Sequence, residues 1–163
     1  MKIFKLTNVL GAALIGLASF SSCTDACKDV DCGPGTCLEG TCTCPDGFSG
    51  TNCGTEDRAQ FTGSFLITGT VTGANAGTFS DESMVNSTSS TASNKFSMNI
   101  LGGAVVVTCT AGTGTNGFAV DASTFDGCDY TGSGTITGNN LSMTLNETCG
   151  TDNSVITLTG IKQ

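Results

Sequence analysis

The sequence predicts an all-β protein: a small disulfide-rich module, then an antiparallel meander of about eight short strands, closed as a small barrel or folded as a sandwich. Three observations predict it. Ten cysteines fall in 163 residues, and seven of them lie between Cys23 and Cys53. From Phe61 onward apolar residues recur with period two, and no stretch carries a 3.6-residue apolar period. Turn residues punctuate this second part roughly every 8 to 12 positions, the spacing of an all-β domain.

Composition narrows the function before any motif is considered. Charged residues make up 12% of the chain and the formal net charge is −8, so a phosphate backbone has little to hold and no nucleic-acid partner is expected. Histidine and tryptophan are absent, which removes the commonest general base, the commonest metal ligand and the best aromatic platform. No catalytic residue, cofactor or metal is expected. Ten cysteines argue for an oxidising compartment and hence for export.

Residues 1–22 explain that export. Lys2 and Lys5 precede an apolar run of 12 residues, "VLGAALIGLASF". A helix needs about 20 residues to span a bilayer, so the run fits the core of a secretory signal instead. Ser21 and Ser22 stand directly before Cys23. The arrangement resembles a bacterial lipoprotein signal, with Phe20 where a Leu commonly stands. The resemblance implies cleavage before Cys23, acylation of its thiol with a diacylglyceryl group, and a membrane partner through that lipid. Two or more acyl chains anchor a protein stably. Lipidation also removes one thiol from an odd set of seven. Thr24, uncharged beside the acylated cysteine, points to the outer membrane, with the periplasmic or cell-surface side left open.

The remaining six cysteines of residues 23–53 are spaced C-x4-C-x4-C-x4-C-x-C-x8-C, from Cys27 to Cys53. Besides cysteine, the sizeable apolar side chains there are Val30, Leu38 and Phe48, too few for a core that offsets chain entropy. Disulfides must hold the module, and six cysteines alone leave fifteen pairings open. The segment "CTCPDGFSGTNC", with its Cys42-Thr43-Cys44 step, Gly47-Phe48 pair and Gly50, resembles the EGF-like module. That resemblance implies the pairs Cys27–Cys37, Cys32–Cys42 and Cys44–Cys53. The calcium-binding version of the family carries an acidic cluster just before the first cysteine and an Asn or Asp followed by an aromatic between the third and fourth. Here only Asp25 precedes Cys27, Leu38 to Thr41 fill the second place, and Asp29 and Asp31 read as a solvated acidic face.

Residues 54–60, "GTEDRAQ", read as a polar linker, and residues 61–163 as the β domain. Phe61, Phe65, Ile67 and Val71 alternate with small or polar residues; a weaker strand is expected over Met84 to Thr91. Phe96, Met98 and Ile100 lead into a Gly102-Gly103 turn, which sets them opposite Cys109, Val107 and Val105 on one face. Phe118 and Val120 alternate likewise. Ile136 meets Leu141, Met143 and Leu145 across a turn expected at Asn139-Asn140, and Ile156 and Leu158 close the chain. If Ile136 lies opposite Leu141, Cys128 lies opposite Cys149 at disulfide separation; a two-residue turn at Asn139-Asn140 would instead set Tyr130 opposite Cys149. The stretch "TGSGTITGNNLSMTLNETC" is similar to the later strands of small lipocalin-like domains of bacterial lipoproteins.

Chemistry is sparse in this part. Asp126 and Asp129 flank Cys128 and Asp81 adjoins Glu82, but both clusters sit among turn residues and read as solvated carboxylates. Cys109, with no histidine to activate it and Phe96 beside it, reads as a buried inert thiol. Asn86-Ser87-Thr88 and Asn146-Glu147-Thr148 match the glycosylation pattern, accidentally for a bacterial lipoprotein. The expected function is therefore a membrane-anchored, non-catalytic binding module, in which the EGF-like part spaces and presents the β domain to a protein or glycan. The alternative, which the lipocalin-like resemblance implies, is a carrier holding a small apolar ligand inside the barrel. A hydrolase is the third class and has the least sequence to carry it.

Overall fold

The computed structural model describes residues 26–87, 92–100 and 103–163. Cys23, Asp25 and the expected signal lie outside these residues, as do Thr88 to Thr91 of the expected weak strand.

The N-terminal part is made of two small ladders. Strands β1 (Thr36–Leu38) and β2 (Thr41–Thr43) pair with Cys37 opposite Cys42, and β3 (Phe48–Ser49) pairs with β4 (Thr55–Glu56). Disulfides join Cys27 to Cys37, Cys32 to Cys42 and Cys44 to Cys53. Val30 and Leu38 are exposed, and the apolar residues buried in this part are the half-cystines Cys32 and Cys53. Residues 54–60, expected as a linker, are structured. Thr55 and Glu56 supply β4, the Asp57 amide donates to Gly47 O, and Ala59–Phe61 forms a 3₁₀ turn.

The second part is a closed barrel of eight antiparallel strands in simple up-and-down order. They are β5 (Gly63–Gly73), β6 (Gly77–Ser87), β7 (Lys95–Ile100), β8 (Val105–Ala111), β9 (Gly117–Phe125), β10 (Cys128–Thr137), β11 (Asn140–Cys149) and β12 (Asp152–Lys162). Of the two architectures expected, barrel and sandwich, this is the barrel. The strands run 6 to 11 residues rather than being uniformly short. Strand β12 closes the sheet against β5, from Ser154 opposite Gly73 to Lys162 opposite Phe65. Closure leaves no free edge to recruit another chain.

Alternation set these registers. Phe96, Met98 and Ile100 lie opposite Cys109, Val107 and Val105, all buried. Ile136 lies opposite Leu141, Gly134 opposite Met143 and Gly132 opposite Leu145. The turn between β10 and β11 is Gly138-Asn139, one residue earlier than the expected Asn139-Asn140, because Thr137 pairs with Asn140 and Gly138 takes a φ of 59°. Two further expectations need correction. The weak strand starts at Gly77, not Met84, since Gly77 to Phe79 already pair with Val71 to Gly69. Phe61 belongs to the 3₁₀ turn and not to the first barrel strand; it packs into the end of the barrel where β5, β7 and β9 begin, the lower end, stacked on Phe96 at 5.2 Å between centroids and edge-on to Phe118 at 5.2 Å.

An eight-stranded barrel is just wide enough for side chains to fill it. Phe65, Ile67, Met84, Met98, Leu145 and Leu158 are among those that do, each at most 1% exposed. Gly134 makes room on β10: a Cβ there would run into the ring of Phe118. The N-terminal part sits against the same lower end. Gly47, at a φ of 89°, lies so close to the β6–β7 connection that a Cβ would stand 2.9 Å from Asn94 N and 3.0 Å from Ser93 Cβ. Arg58 reaches the same connection, its Nη1 donating to Ala92 O at 2.9 Å and Lys95 O at 3.3 Å.

Candidate functional site

Three places on the barrel carry polar chemistry: the outer face of β10, β11, β12 and β5, the upper end of the interior, and the outer face of β7 to β9. The rest of the interior is mainly apolar, with Asn86 and Ser154 as buried polar side chains.

The outer face is built by the strand period. Every second residue of these four strands points outward, and cross-strand partners place them in rows. Ser133, Thr144, Thr157 and Thr70 form one row; Thr135, Ser142, Thr159 and Thr68 form the next. In the third, Thr137 and Asn140 continue into Ile161 and Leu66, which are 57% and 41% exposed. The twist of the sheet makes a groove of about 500 Å³ over the last two rows. Its walls carry hydroxyls and the Asn140 amide, with Leu66 and Ile161 exposed at one end and Leu141 buried beneath, and none of its lining residues is charged. Thr68 Oγ1 and Thr159 Oγ1 lie 3.4 Å apart across the strands.

At the upper end, Cys128 and Cys149 are joined, with Cα atoms 4.3 Å apart. The inward register that puts Ile136 opposite Leu141 carries on up the hairpin to this pair. Two positions down the hairpin, on the same face, Tyr130 lies opposite Glu147 and its hydroxyl donates to Glu147 Oε1 at 2.8 Å. Burial, then the hydrogen bond to the Glu147 carboxylate and its charge, push the Tyr130 phenol up to about 12. The sequence reading overlooked this pair, although Tyr130 continues the inward series of Ile136, Gly134 and Gly132. Glu147 and the two sulfurs lie close together. The sulfurs are spent on the disulfide and the carboxylate accepts from the phenol, so this cluster offers no ligand set.

On the outer face beyond, Lys95 Nζ donates to Thr110 Oγ1 at 2.6 Å and to Asp121 Oδ2 at 2.7 Å, and Thr110 Oγ1 donates to Asp121 Oδ1 at 2.5 Å. Partial burial acts to raise the Asp121 pKa. The hydrogen bonds from Lys95 and Thr110, with the Lys95 charge, outweigh it and hold the carboxyl below its ordinary value. All three side chains satisfy one another.

The remaining sequence candidates fall apart in space. Cys109 is a free thiol, fully buried against the core, and burial followed by the nearby Asp121 charge pushes it up to about 12. Such a thiol is not a nucleophile at neutral pH. Asp126 occupies the β9–β10 turn with a φ of 49°, while Asp129 on β10 accepts from Thr124 Oγ1 at 2.6 Å. Asp31 Oδ1 accepts from the Gly33 amide in a local turn. Asn86 is 3% exposed and its Nδ2 donates to Phe61 O at 2.9 Å, so its side-chain amide is buried away from solvent. Among the described residues no helix is long and apolar enough to cross a membrane. No protein-family model, curated protein or solved structure matches this chain.

Proposed function

We propose that this protein is an exported lipoprotein, anchored to the outer membrane through Cys23, whose EGF-like module holds up a β-barrel that works by binding and not by turnover. The observation that carries this reading is the contrast between a filled interior and a grooved, uncharged exterior. Phe61, Phe65, Phe96, Met98 and their neighbours occupy the space a carrier would give to its ligand. The groove between the hydroxyl rows and the Leu66–Ile161 pair offers donors, acceptors and some apolar area at no electrostatic cost. An uncharged protein or glycan surface is the matching partner. Absence of histidine from the sequence and the high pKa of Cys109 support a non-catalytic role.

The anchor and the groove are tested separately. Labelling with palmitate is expected to tag the wild type, and Cys23→Ala to abolish the tag and release the protein. For the groove, Thr68→Lys with Ile161→Lys is expected to abolish capture of a partner from intact cells, while Thr108→Lys on another face leaves it unchanged. Equal capture by both variants, or hydrolysis of a panel of esters and glycosides by the barrel, would overturn the binding reading.

A further inference from the structure

The junction between the disulfide-rich module and the barrel holds a feature that neither packing nor hydrogen bonding accounts for. Asp57 is 3% exposed. Its Oδ1 accepts from the Gly114 amide at 3.1 Å, across the boundary to the β8–β9 loop. Its Oδ2 is fully buried and has no hydrogen-bond partner. A buried carboxylate held by a single neutral N–H is strongly disfavoured unless a positive charge or further donors meet the second oxygen. Asp57 also lines a pocket of about 240 Å³, together with Ser49, Thr55, Glu56, Gln60 and Asn116. Every one of those side chains carries an oxygen, and two are carboxylates.

We propose that this pocket binds a calcium ion that bridges the disulfide-rich module to the barrel. Calcium takes six to eight oxygens in flexible geometry, and mixed carboxylate, amide and hydroxyl donors with water suit it better than magnesium, which demands a near-ideal octahedron. Asp57 Oδ2 supplies the buried ligand and Glu56 the second carboxylate, one oxygen of which already accepts from Arg58 Nε at 2.9 Å. Ser49 and Thr55 come from the disulfide-rich side and Asn116 from the barrel loop, so the ion would tie both together.

The test uses the intact, disulfide-bonded chain. In a ¹⁵N-labelled sample, adding calcium chloride is expected to move the amides of Ser49, Thr55, Gly114, Thr115 and Asn116, saturating at about 10⁻⁴ to 10⁻³ M, the range of extracellular calcium modules. Sodium chloride at equal ionic strength is expected to leave them in place. Asp57→Asn is expected to weaken calcium at least tenfold by isothermal titration, and Glu56→Gln severalfold, with Asp29→Asn unchanged. The wild-type map stands even if Asp57→Asn loosens the junction. No movement by about 10 mM calcium, equal movement with magnesium, or shifts confined to residues 27–31 would each overturn the proposal.

Discussion

Residues 27–53 bury two apolar side chains, Cys32 and Cys53, and both are half-cystines; the barrel buries Phe61, Phe65, Phe96, Met84, Met98 and more in one contiguous core. The first part has three disulfides within about the length of one barrel hairpin, and the second has Cys128–Cys149 alone among its described residues. A chain too short to bury surface must be stabilised through its unfolded state, which cross-links restrict. A closed barrel gains from burial directly, and its one disulfide joins strands already paired by a two-residue turn. The comparison teaches that the two parts should fail under different stresses, although Arg58 and Asp57 tie them together.

Reduction is the strongest way to break the comparison. Each native disulfide lost from a small module typically costs about 2 to 5 kcal/mol, so full reduction is expected to unfold residues 27–53 outright. The amides of β5, β11 and β12 should stay protected from hydrogen exchange under the same conditions. Loss of protection across the whole barrel would mean that the two parts fold as one unit.

Phe96→Ala probes the opposite side. Phe96 stacks on Phe61 and meets Phe118 edge-on at 5.5 Å, so truncation opens a cavity at the point where the 3₁₀ turn closes the barrel. A loss of about 3 to 5 kcal/mol is expected in guanidinium unfolding. The disulfide connectivity of residues 27–53, read by peptide mapping, should not change.

The smallest effect sharpens the account of the barrel's upper end. Tyr130 is the sole tyrosine and there is no tryptophan, so phenolate absorbance reports this residue alone. Its folded value of about 12 lies above the unfolded value of about 10. The stabilisation is therefore fully present below pH ~10 and is lost as pH rises toward 12, by about 2 kcal/mol. Tyr130→Phe should flatten that alkaline limb in urea unfolding. A wild-type phenol titrating near 10 would remove Glu147 and burial as its controlling surroundings.

Much of the barrel was legible because strand alternation is a local signal. The series Phe96, Met98, Ile100 and Val105, Val107, Cys109 fixes a register as soon as a glycine turn stands between them, and the same logic brings Cys128 beside Cys149. Strand β6 was half missed because Gly77 to Ser80 offer only Phe79 as an apolar mark. Tyr130 escaped notice because two inward glycines, Gly132 and Gly134, interrupt the apolar series that leads to it. The groove was legible only as outward Thr, Ser and Asn; its shape comes from sheet twist.

The sequence by itself determined the all-β class, the cysteine-rich beginning, the core-facing residues and the hairpin registers, because each depends on neighbours a few positions apart. Tertiary structure alone decided that the meander closes, since β12 meets β5 across almost the whole domain, and a one-dimensional pattern does not distinguish closed from open sheets. It also decided that Phe61 plugs the lower end and that Asp57 is buried there. The stretch "GTEDRAQ" reads as solvent-facing until the β8–β9 loop, more than fifty residues on, folds over it and takes its carboxylate out of water.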